Sequence, residues 1–446
     1  MEGARIKLRI TTSWSIDAWL LALILATALI SRLYSLESFP YYPPEWPWLG
    51  DNPKYKGLYR DEAFYMEVAI ALPFSPTPFQ PWLQLAAVKL FTLLLGPSTL
   101  AARLPSSLAS AFTAPIIYLA VKELFRLRAA ALIASFYYIA MVPGLIYGRM
   151  LLLENFAAFF IALEFYFLIR YLRFPSPKLV YTASALAALA SMSKVTGVVG
   201  PAFLTIALLA ERRVKGNMGP LLMAWSPLIA FVIVSSIIGG SLISSLRSWL
   251  LGYVGRELSW QFLLLQALPS GHILFSGGYV KPEFWYIYAY LSMVVLALVK
   301  RMEATTLLYP LTAFFTIPLA VWGFSAYYPI LIYPMLASAA GGGTLLFLRI
   351  PNILSLGLFS ALYVPLVASV SASLSLPVID YNYWLFLLKV SVLLAPLAIW
   401  TLVNKTLHLI RATIRLSFHF VLLISYFSLL LYSTPYLYPY FFLGRA

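Results

Sequence analysis

Residues 14–33 have the sequence WSIDAWLLALILATALISRL, and this run decides the fold class of the chain. An α-helix rises about 1.5 Å per residue, so about 20 predominantly apolar residues span the hydrocarbon core of a bilayer. The run resembles a signal anchor, but it is long and has no small-residue cleavage site. We therefore expect it to be a retained transmembrane helix.

The composition of the whole chain predicts a membrane protein. Of its 446 residues, 62% are hydrophobic and 11% are charged, and the mean hydropathy is +0.86. A soluble domain carries about 25% charged residues. Apolar runs of about 17–22 residues recur along the chain and leave no interval for a large water-soluble domain. The sequence predicts an all-α polytopic membrane protein with about 13 transmembrane helices, over residues 14–33, 104–121, 130–147, 155–170, 180–194, 197–210, 219–238, 284–299, 305–322, 329–347, 353–371, 384–403 and 417–433.

The distribution of charge indicates the topology. The chain has 31 Lys and Arg against 16 Asp and Glu, a net charge of +15. We interpret the basic residues as topogenic or as facing lipid phosphates, and expect no nucleic-acid partner. With the basic clusters in the cytoplasm, the N-terminus is cytoplasmic and the C-terminus lies outside. Ten of the 16 acidic residues then lie outside or at the outer boundary, which indicates an extracytoplasmic site: Glu37, Glu45, Asp51, Asp61, Glu62, Glu67, Glu154, Glu257, Glu283 and Asp380.

Two stretches between the predicted spans are long enough to carry a site. Residues 34–102 are expected to form a first extracytoplasmic loop with interfacial helices, including an amphipathic stretch of about residues 82–95. A second outer stretch covers about residues 240–283. The chain contains no cysteine, which excludes disulfides and thiolate metal sites.

The first loop contains an adjacent acidic pair, Asp61 and Glu62, in the segment LYRDEAFY. Such a pair at the outer bilayer surface is costly unless it is solvated, paired or used in chemistry. An ordinary hydrated pair of loop acids is the alternative.

Arg149 and Glu154 lie within an otherwise apolar run, GRMLLLEN. They could form a local salt bridge at the start of a helix, where the helix dipole favours a carboxylate. Arg103 in ARLPS and Lys194 in SMSKVTG could both extend to the interface as snorkelling side chains. The predicted topology nevertheless places all four residues on the same face as the acidic pair, an arrangement suited to a reaction on a lipid-borne phosphate ester.

The order of these segments resembles the GT-C glycosyltransferases, in particular the protein O-mannosyltransferases and the aminoarabinose transferases that modify lipid A. An Asp-Glu-x-x-Tyr motif precedes RLPS, GRMLLLEN and SKVTG, and then KPEFWYIY and SAYYPILIYP. The resemblance covers about residues 20–215 and, more loosely, 275–340. On this basis we divide the chain into a catalytic transmembrane module, residues 1–215, and a variable C-terminal transmembrane module, residues 216–446.

The resemblance implies roles for the matching residues. The implied catalytic acids are Asp61, Glu62 and Glu154, with Asp61 as the base near the acceptor hydroxyl. Relatives usually have Asp at the position of Glu154. The implied donor phosphate ligands are Arg103, Lys194 and Arg149. A divalent metal site is an open alternative, and its candidate ligands are Asp61, Glu154 and His272. No other cofactor is expected.

The residues and the resemblance together predict a membrane glycosyltransferase that acts outside the cytoplasm. It would move a sugar, such as mannose or a related hexose or pentose, from a polyprenyl or dolichyl phosphate to a hydroxyl acceptor. One carboxylate base and direct displacement predict inversion at the anomeric carbon. The acceptor could be a protein, a glycolipid or a glycan. The alternatives are a secondary transporter, whose ionisable groups would lie near the bilayer midplane, and a non-catalytic membrane assembly protein.

Overall fold

The computed structural model describes residues 2–37, 58, 60–72, 81–210, 218–238 and 328–349, and every regular element within these residues is a helix. Two short 3-10 helices cover Val195–Val198 and Tyr328–Ile332. The α-helices in the described part are α1 Glu2–Leu33, α2 Arg60–Ala71, α3 Leu83–Leu95, α4 Thr99–Phe125, α5 Arg128–Ala140, α6 Val142–Tyr147, α7 Glu154–Arg173, α8 Pro177–Ser193, α9 Val199–Ala210, α10 Gly219–Ile238 and α11 Tyr333–Arg349.

Three of the described helices are long and apolar enough to cross a membrane, namely Ile16–Leu33, Thr99–Phe125 and Glu154–Arg173. Shorter apolar helices accompany them, and the chain is a multi-pass membrane protein. The predicted helix over 219–238 coincides with α10. Other predicted elements lie outside the described residues, so the count of 13 stays a prediction; they are helices 284–299, 305–322, 353–371, 384–403 and 417–433, and the outer stretch 240–283.

Helix α4 is the centre of the described bundle, in contact with α1, α3, α5, α7 and α11. The Ser98 hydroxyl caps its start by accepting a hydrogen bond from the Ala101 N–H at 3.1 Å. Arg126, with φ 55°, ends it in the left-handed region. Many of its buried residues are Ala or Ser, which let neighbouring helices approach closely.

The single helix predicted over 130–147 is wrong, because the segment forms two helices, α5 and α6, with a break at Met141. The physical reason is Pro143, which has no N–H to donate to the carbonyl of Ile139 one turn earlier. The side chain of Arg32 reaches that carbonyl from α1 instead, at 3.3 Å.

Helices α2 and α3 form a small cluster beside the start of α4. Tyr65 and Met66 of α2 pack with Leu85 of α3 and with Leu151 and Leu153 of the segment before α7. The opposite face of α3 is apolar and exposed, as expected of a helix that lies on lipid. This cluster joins the first loop to the segment that precedes α7.

A buried glutamate lies in the middle of α7. Glu164 has no exposed surface, and neither of its carboxylate oxygens has a hydrogen-bond partner among the described residues. A Cβ added at Gly200 of α9 would lie 2.8 Å from Glu164 Oε2 and 3.3 Å from the Cα of Ala187 in α8. Small residues therefore make room for this carboxyl where the three helices meet.

Candidate active site

A buried ion pair joins Glu62 to Arg103. Arg103 Nε donates to Glu62 Oε1 and Nη2 donates to Oε2, both at 2.9 Å, and neither side chain has exposed surface. Arg103 Nη1 donates to the Leu36 carbonyl at 3.1 Å, and the Leu151 N–H donates to Glu62 Oε1 at 2.8 Å. Four separate segments of chain therefore meet on this pair.

Asp61 and Glu62 are adjacent in the first turn of α2 but have different surroundings. Successive residues of a helix point about 100° apart. Glu62 therefore faces α4, whereas Asp61 stays partly exposed and lies within electrostatic range of Glu154 and Lys194. The two acids thus have distinct environments.

Glu154 and Lys194 form a second buried ion pair. Lys194 Nζ donates to Glu154 Oε1, and the two side chains are 4% and 0% exposed. Glu154 is the first residue of α7, and Lys194 lies between α8 and the 3-10 helix Val195–Val198. Glu154 therefore pairs with Lys194 rather than with Arg149. Its second oxygen, Oε2, has no hydrogen-bond partner in the described part of the chain.

The backbone that carries Lys194 is tightly packed. A Cβ added at Gly197 would lie 2.0 Å from the carbonyl oxygen of Ala190, closer than any real side chain approaches. Glycine at this position lets the chain fold back against the end of α8. The SKVTG segment therefore presents Lys194 towards Glu154.

Arg149 lies in the segment between α6 and α7 and is fully buried. Its Nη2 donates to the Tyr34 carbonyl after α1, and the hydroxyl of Ser107 donates to the Arg149 carbonyl at 3.4 Å. Burial, followed by repulsion from Arg32 and Arg103, lowers the pKa of Arg149 to about 9. Arg149 is still protonated at neutral pH.

Several residues that shape the site were not assigned from the sequence. Tyr65 lies one turn after Asp61 and within electrostatic range of Lys194. Gln84 of α3 donates to the Ser106 hydroxyl at 2.6 Å and to the Leu152 carbonyl at 3.0 Å. The Asp-Glu-x-x-Tyr spacing places Tyr65 on the Asp61 face of a helix and could have identified it. Nothing in the local sequence of Gln84 points to its partners.

Two further residues lie beside the segment between α6 and α7. Asn155 holds this segment by hydrogen bonds, and Arg32 approaches it from α1. Asn155 Nδ2 donates to the carbonyls of Tyr147 and Met150, at 3.0 and 3.1 Å. Arg32 is buried at the end of α1, beside Gly148. Asn155 adjoins a predicted site residue, and Arg32 could have been noticed because the predicted topology places it at the outer end of the first helix, away from the cytoplasmic basic clusters.

The metal candidates are only partly brought together. Asp61 and Glu154 are within electrostatic range, and Glu154 Oε2 is an acceptor with no donor in the described part of the chain. His272 lies outside the described residues. Among the residues that the structure describes, no group of three or more His, Cys, Asp or Glu could hold a metal ion. Two carboxylates fit a hard divalent cation but provide only part of the ligands that one requires.

Comparisons with known proteins agree with this fold. The family model for dolichyl-phosphate-mannose-protein mannosyltransferase matches residues 75–238. ArnT from Cupriavidus metallidurans, crystallised bound to undecaprenyl phosphate, matches with a TM-score of 0.60 and 13% identity over 97% of this chain and 78% of that one. Its apo state matches with a TM-score of 0.53 and 14% identity over 98% and 78%. The comparison with curated proteins gives no match.

The family match lies in the part of the chain that contains Arg103, Arg149, Glu154 and Lys194. The structural match extends over nearly the whole chain at low identity, and so concerns the fold. The chain has the fold of the GT-C membrane glycosyltransferases and resembles, within that superfamily, the protein O-mannosyltransferases and the aminoarabinose transferases.

Proposed function

We propose that the chain is a GT-C glycosyltransferase that moves a sugar from a polyprenyl phosphate to a hydroxyl acceptor on the extracytoplasmic side. The observation that carries the proposal is the meeting of Asp61 with the Glu154–Lys194 pair. These residues come from α2, the start of α7 and the end of α8, and lie at one end of the bundle. Binding of undecaprenyl phosphate by ArnT, which shares the fold, supports the donor class.

Asp61 is the proposed general base. It is more exposed than Glu62 and Glu154, so an acceptor hydroxyl can reach it. A general base that removes the hydroxyl proton as the oxygen attacks the anomeric carbon typically raises the reaction rate about 10²–10⁴-fold. With one base and no covalent intermediate, the product would have inverted anomeric configuration.

Lys194 and Arg149 are the proposed phosphate ligands. Departure of the sugar leaves negative charge on the lipid phosphate, and preorganised cations stabilise such charge. Glu154 holds Lys194 in place through one oxygen. Its other oxygen, which has no hydrogen-bond donor among the described residues, is the proposed partner of the acceptor or of a divalent metal.

We assign Arg103 and Glu62 to positioning rather than to direct contact with the donor phosphate and acceptor. The Arg103 guanidinium is held by both carboxylate oxygens of Glu62 and by the Leu36 carbonyl. The pair fixes the first turn of α2, and with it the neighbouring Asp61. It also holds the Leu151 N–H, two residues after Arg149.

The main test is transfer of radiolabelled sugar from polyprenyl phosphate donors in membranes containing wild type, Asp61→Asn or Glu67→Gln. Glu67 is a matched control because it is an exposed acid of the same helix. Wild-type and Glu67→Gln protein should transfer sugar, and Asp61→Asn should transfer it at a rate lower by about 10²-fold or more. Equal transfer by all three would overturn the assignment of the base. NMR of the product would reveal its anomeric configuration, and retention would exclude direct displacement.

A secondary transporter is the second candidate, favoured by Glu164 in the middle of α7. An ionisable residue within the membrane is costly and often functional. In contrast, the acids of the candidate site, Asp61, Glu62 and Glu154, lie at the ends of helices, at one face of the bundle. A transport site near the bilayer midplane does not require acids at that face. Proton-dependent uptake of a sugar or lipid phosphate by proteoliposomes, lost in Glu164→Gln and kept in Asp61→Asn, would favour transport instead.

A further inference from the structure

Gln84 is a buried amide that joins three parts of the chain beside the candidate site. It lies on the inward face of α3 with Leu85 and Val88 and has no exposed surface. Its Nε2 donates to the Ser106 hydroxyl of α4 at 2.6 Å and to the Leu152 carbonyl at 3.0 Å. A carbonyl oxygen only accepts hydrogen bonds, so the bond to Leu152 fixes which end of the amide is the NH₂ group.

The Leu152 carbonyl belongs to the turn from which α7 begins. Leu153 precedes the helix, and its apolar side chain makes no capping hydrogen bond. The Leu152 carbonyl also accepts a hydrogen bond from the Asn155 N–H at 3.1 Å, which closes the turn around Glu154. The direction of this carbonyl therefore influences how the first residue of α7 is presented.

The two helices of the first loop hold successive residues of this turn. Glu62 of α2 accepts a hydrogen bond from the Leu151 N–H at 2.8 Å, and Gln84 of α3 donates to the Leu152 carbonyl. Helices α2 and α3 also pack against each other. The first loop thus fixes the backbone two residues before Glu154.

Packing alone does not explain why this position is a glutamine. Its Oε1 is buried and has no hydrogen-bond partner among the described residues, and burying such an oxygen costs free energy. An apolar side chain of similar length, such as methionine, would fill the space without that cost. The hydrogen bonds of the NH₂ group therefore account for the amide, and the bond to Leu152 leads directly to Glu154.

We infer that Gln84 is a positioning residue for Glu154. It holds the Leu152 carbonyl so that the first turn of α7 presents Glu154 to Lys194, and it does not itself touch the donor or the acceptor. The inference rests on the proposed function, in which Lys194 stabilises the charge on the departing phosphate. Because this charge develops as the sugar leaves, a displaced Lys194 should lower kcat more than it raises the KM for the donor.

The first experiment measures kcat and the donor KM for sugar transfer by wild type and three variants. Gln84→Met removes both hydrogen bonds and should lower kcat by about 10–10²-fold, with KM within about threefold of wild type. Ser106→Ala removes only the bond to α4 and should lower kcat by less than about threefold. Thr92→Val is the matched control, because the buried Thr92 lies on the same face of α3 and its hydroxyl donates to carbonyls of its own helix. It should leave both constants within about twofold of wild type.

The second experiment asks whether the loss passes through Lys194. Gln84→Met should lower kcat by less than about twofold in the Lys194→Met background, because the effects of residues that act as one unit do not add. A role confined to the packing of α3 would give the same loss in both backgrounds.

Three results would overturn the inference. They are a wild-type kcat in Gln84→Met, equal falls of kcat in Gln84→Met and Ser106→Ala, or an undiminished effect of Gln84→Met in the Lys194→Met background. If Gln84→Met does not fold, Gln84→Asn decides, because its shorter side chain keeps the amide but withdraws it from the Leu152 carbonyl; a wild-type kcat there would overturn the inference. Failure of the proposed function is distinct, because wild-type protein would then transfer no sugar from any donor.

Discussion

Replacing Glu62 by glutamine should destabilise the protein more than any other single loss of one carboxylate charge described above. Arg103 would remain buried with one amide oxygen in place of two carboxylate oxygens, and the amide NH₂ would face either Arg103 or the Leu151 N–H. Removing one partner of a buried ion pair costs about 3–5 kcal/mol. With the amide NH₂ at the Oε2 position one hydrogen bond to Arg103 is lost, at about 1.5–3 kcal/mol, and with the NH₂ at the Oε1 position two hydrogen bonds are lost.

The assay is the free energy of unfolding in detergent micelles by titration with SDS. Glu123→Gln is the control, because Glu123 pairs with Arg173 at 3.5 Å and both side chains are partly exposed. It should change stability by about 1 kcal/mol or less. Refutation would come from a Glu62→Gln protein as stable as the control.

A double variant separates the ion pair from its surroundings. Glu62→Met combined with Arg103→Met should cost less than the sum of the two single changes, by about 0.5–3 kcal/mol. The double variant should not recover wild-type stability, because the Leu151 N–H and the Leu36 carbonyl lose their partners. Strict additivity of the two single changes would mean that the pair is not coupled.

Three further predictions concern the turn that carries Lys194 and the orientation of the bundle. Lys194→Met should lower kcat by about 10²–10³-fold, and Lys194→Arg should recover part of it; equal rates in all three proteins would remove Lys194 from the site. Gly197→Ala should prevent recovery of folded protein, because its Cβ meets the Ala190 carbonyl at 2.0 Å; a stable, active variant would contradict this packing. The chain contains no cysteine, so an impermeant thiol reagent on intact cells should label Glu67→Cys but not Lys178→Cys; the reverse pattern would place the site in the cytoplasm.

The sequence predicted helices well where apolar runs alone define them. The run 219–238 is α10, and 104–121 lies within Thr99–Phe125. The ends of α4 were missed because they depend on a hydroxyl cap and a left-handed residue, which lie beyond the apolar core. The break at Met141 could have been predicted, since Pro143 lies within that run.

The pairing of the site residues could not be predicted from the sequence. Glu62 and Arg103 form an ion pair although they are 41 positions apart in the sequence. The motif assigned a catalytic role to both acids of the first loop, but Glu62 binds Arg103, whereas Asp61 lies within electrostatic range of Lys194. Motifs identify which residues matter, whereas helix geometry and packing decide what each one contacts.

The buried Glu164 has a consequence for how the chain enters the membrane during synthesis. An acidic side chain at the centre of a lone helix opposes release into lipid, by about 2.5–3.5 kcal/mol for aspartate. Gly200, which lies against this carboxyl, and Ala187, which lies against Gly200, are in helices made after α7. Helix α7 should therefore stay beside the insertion machinery until α8 and α9 arrive, so the three helices would pass into the bilayer as one unit.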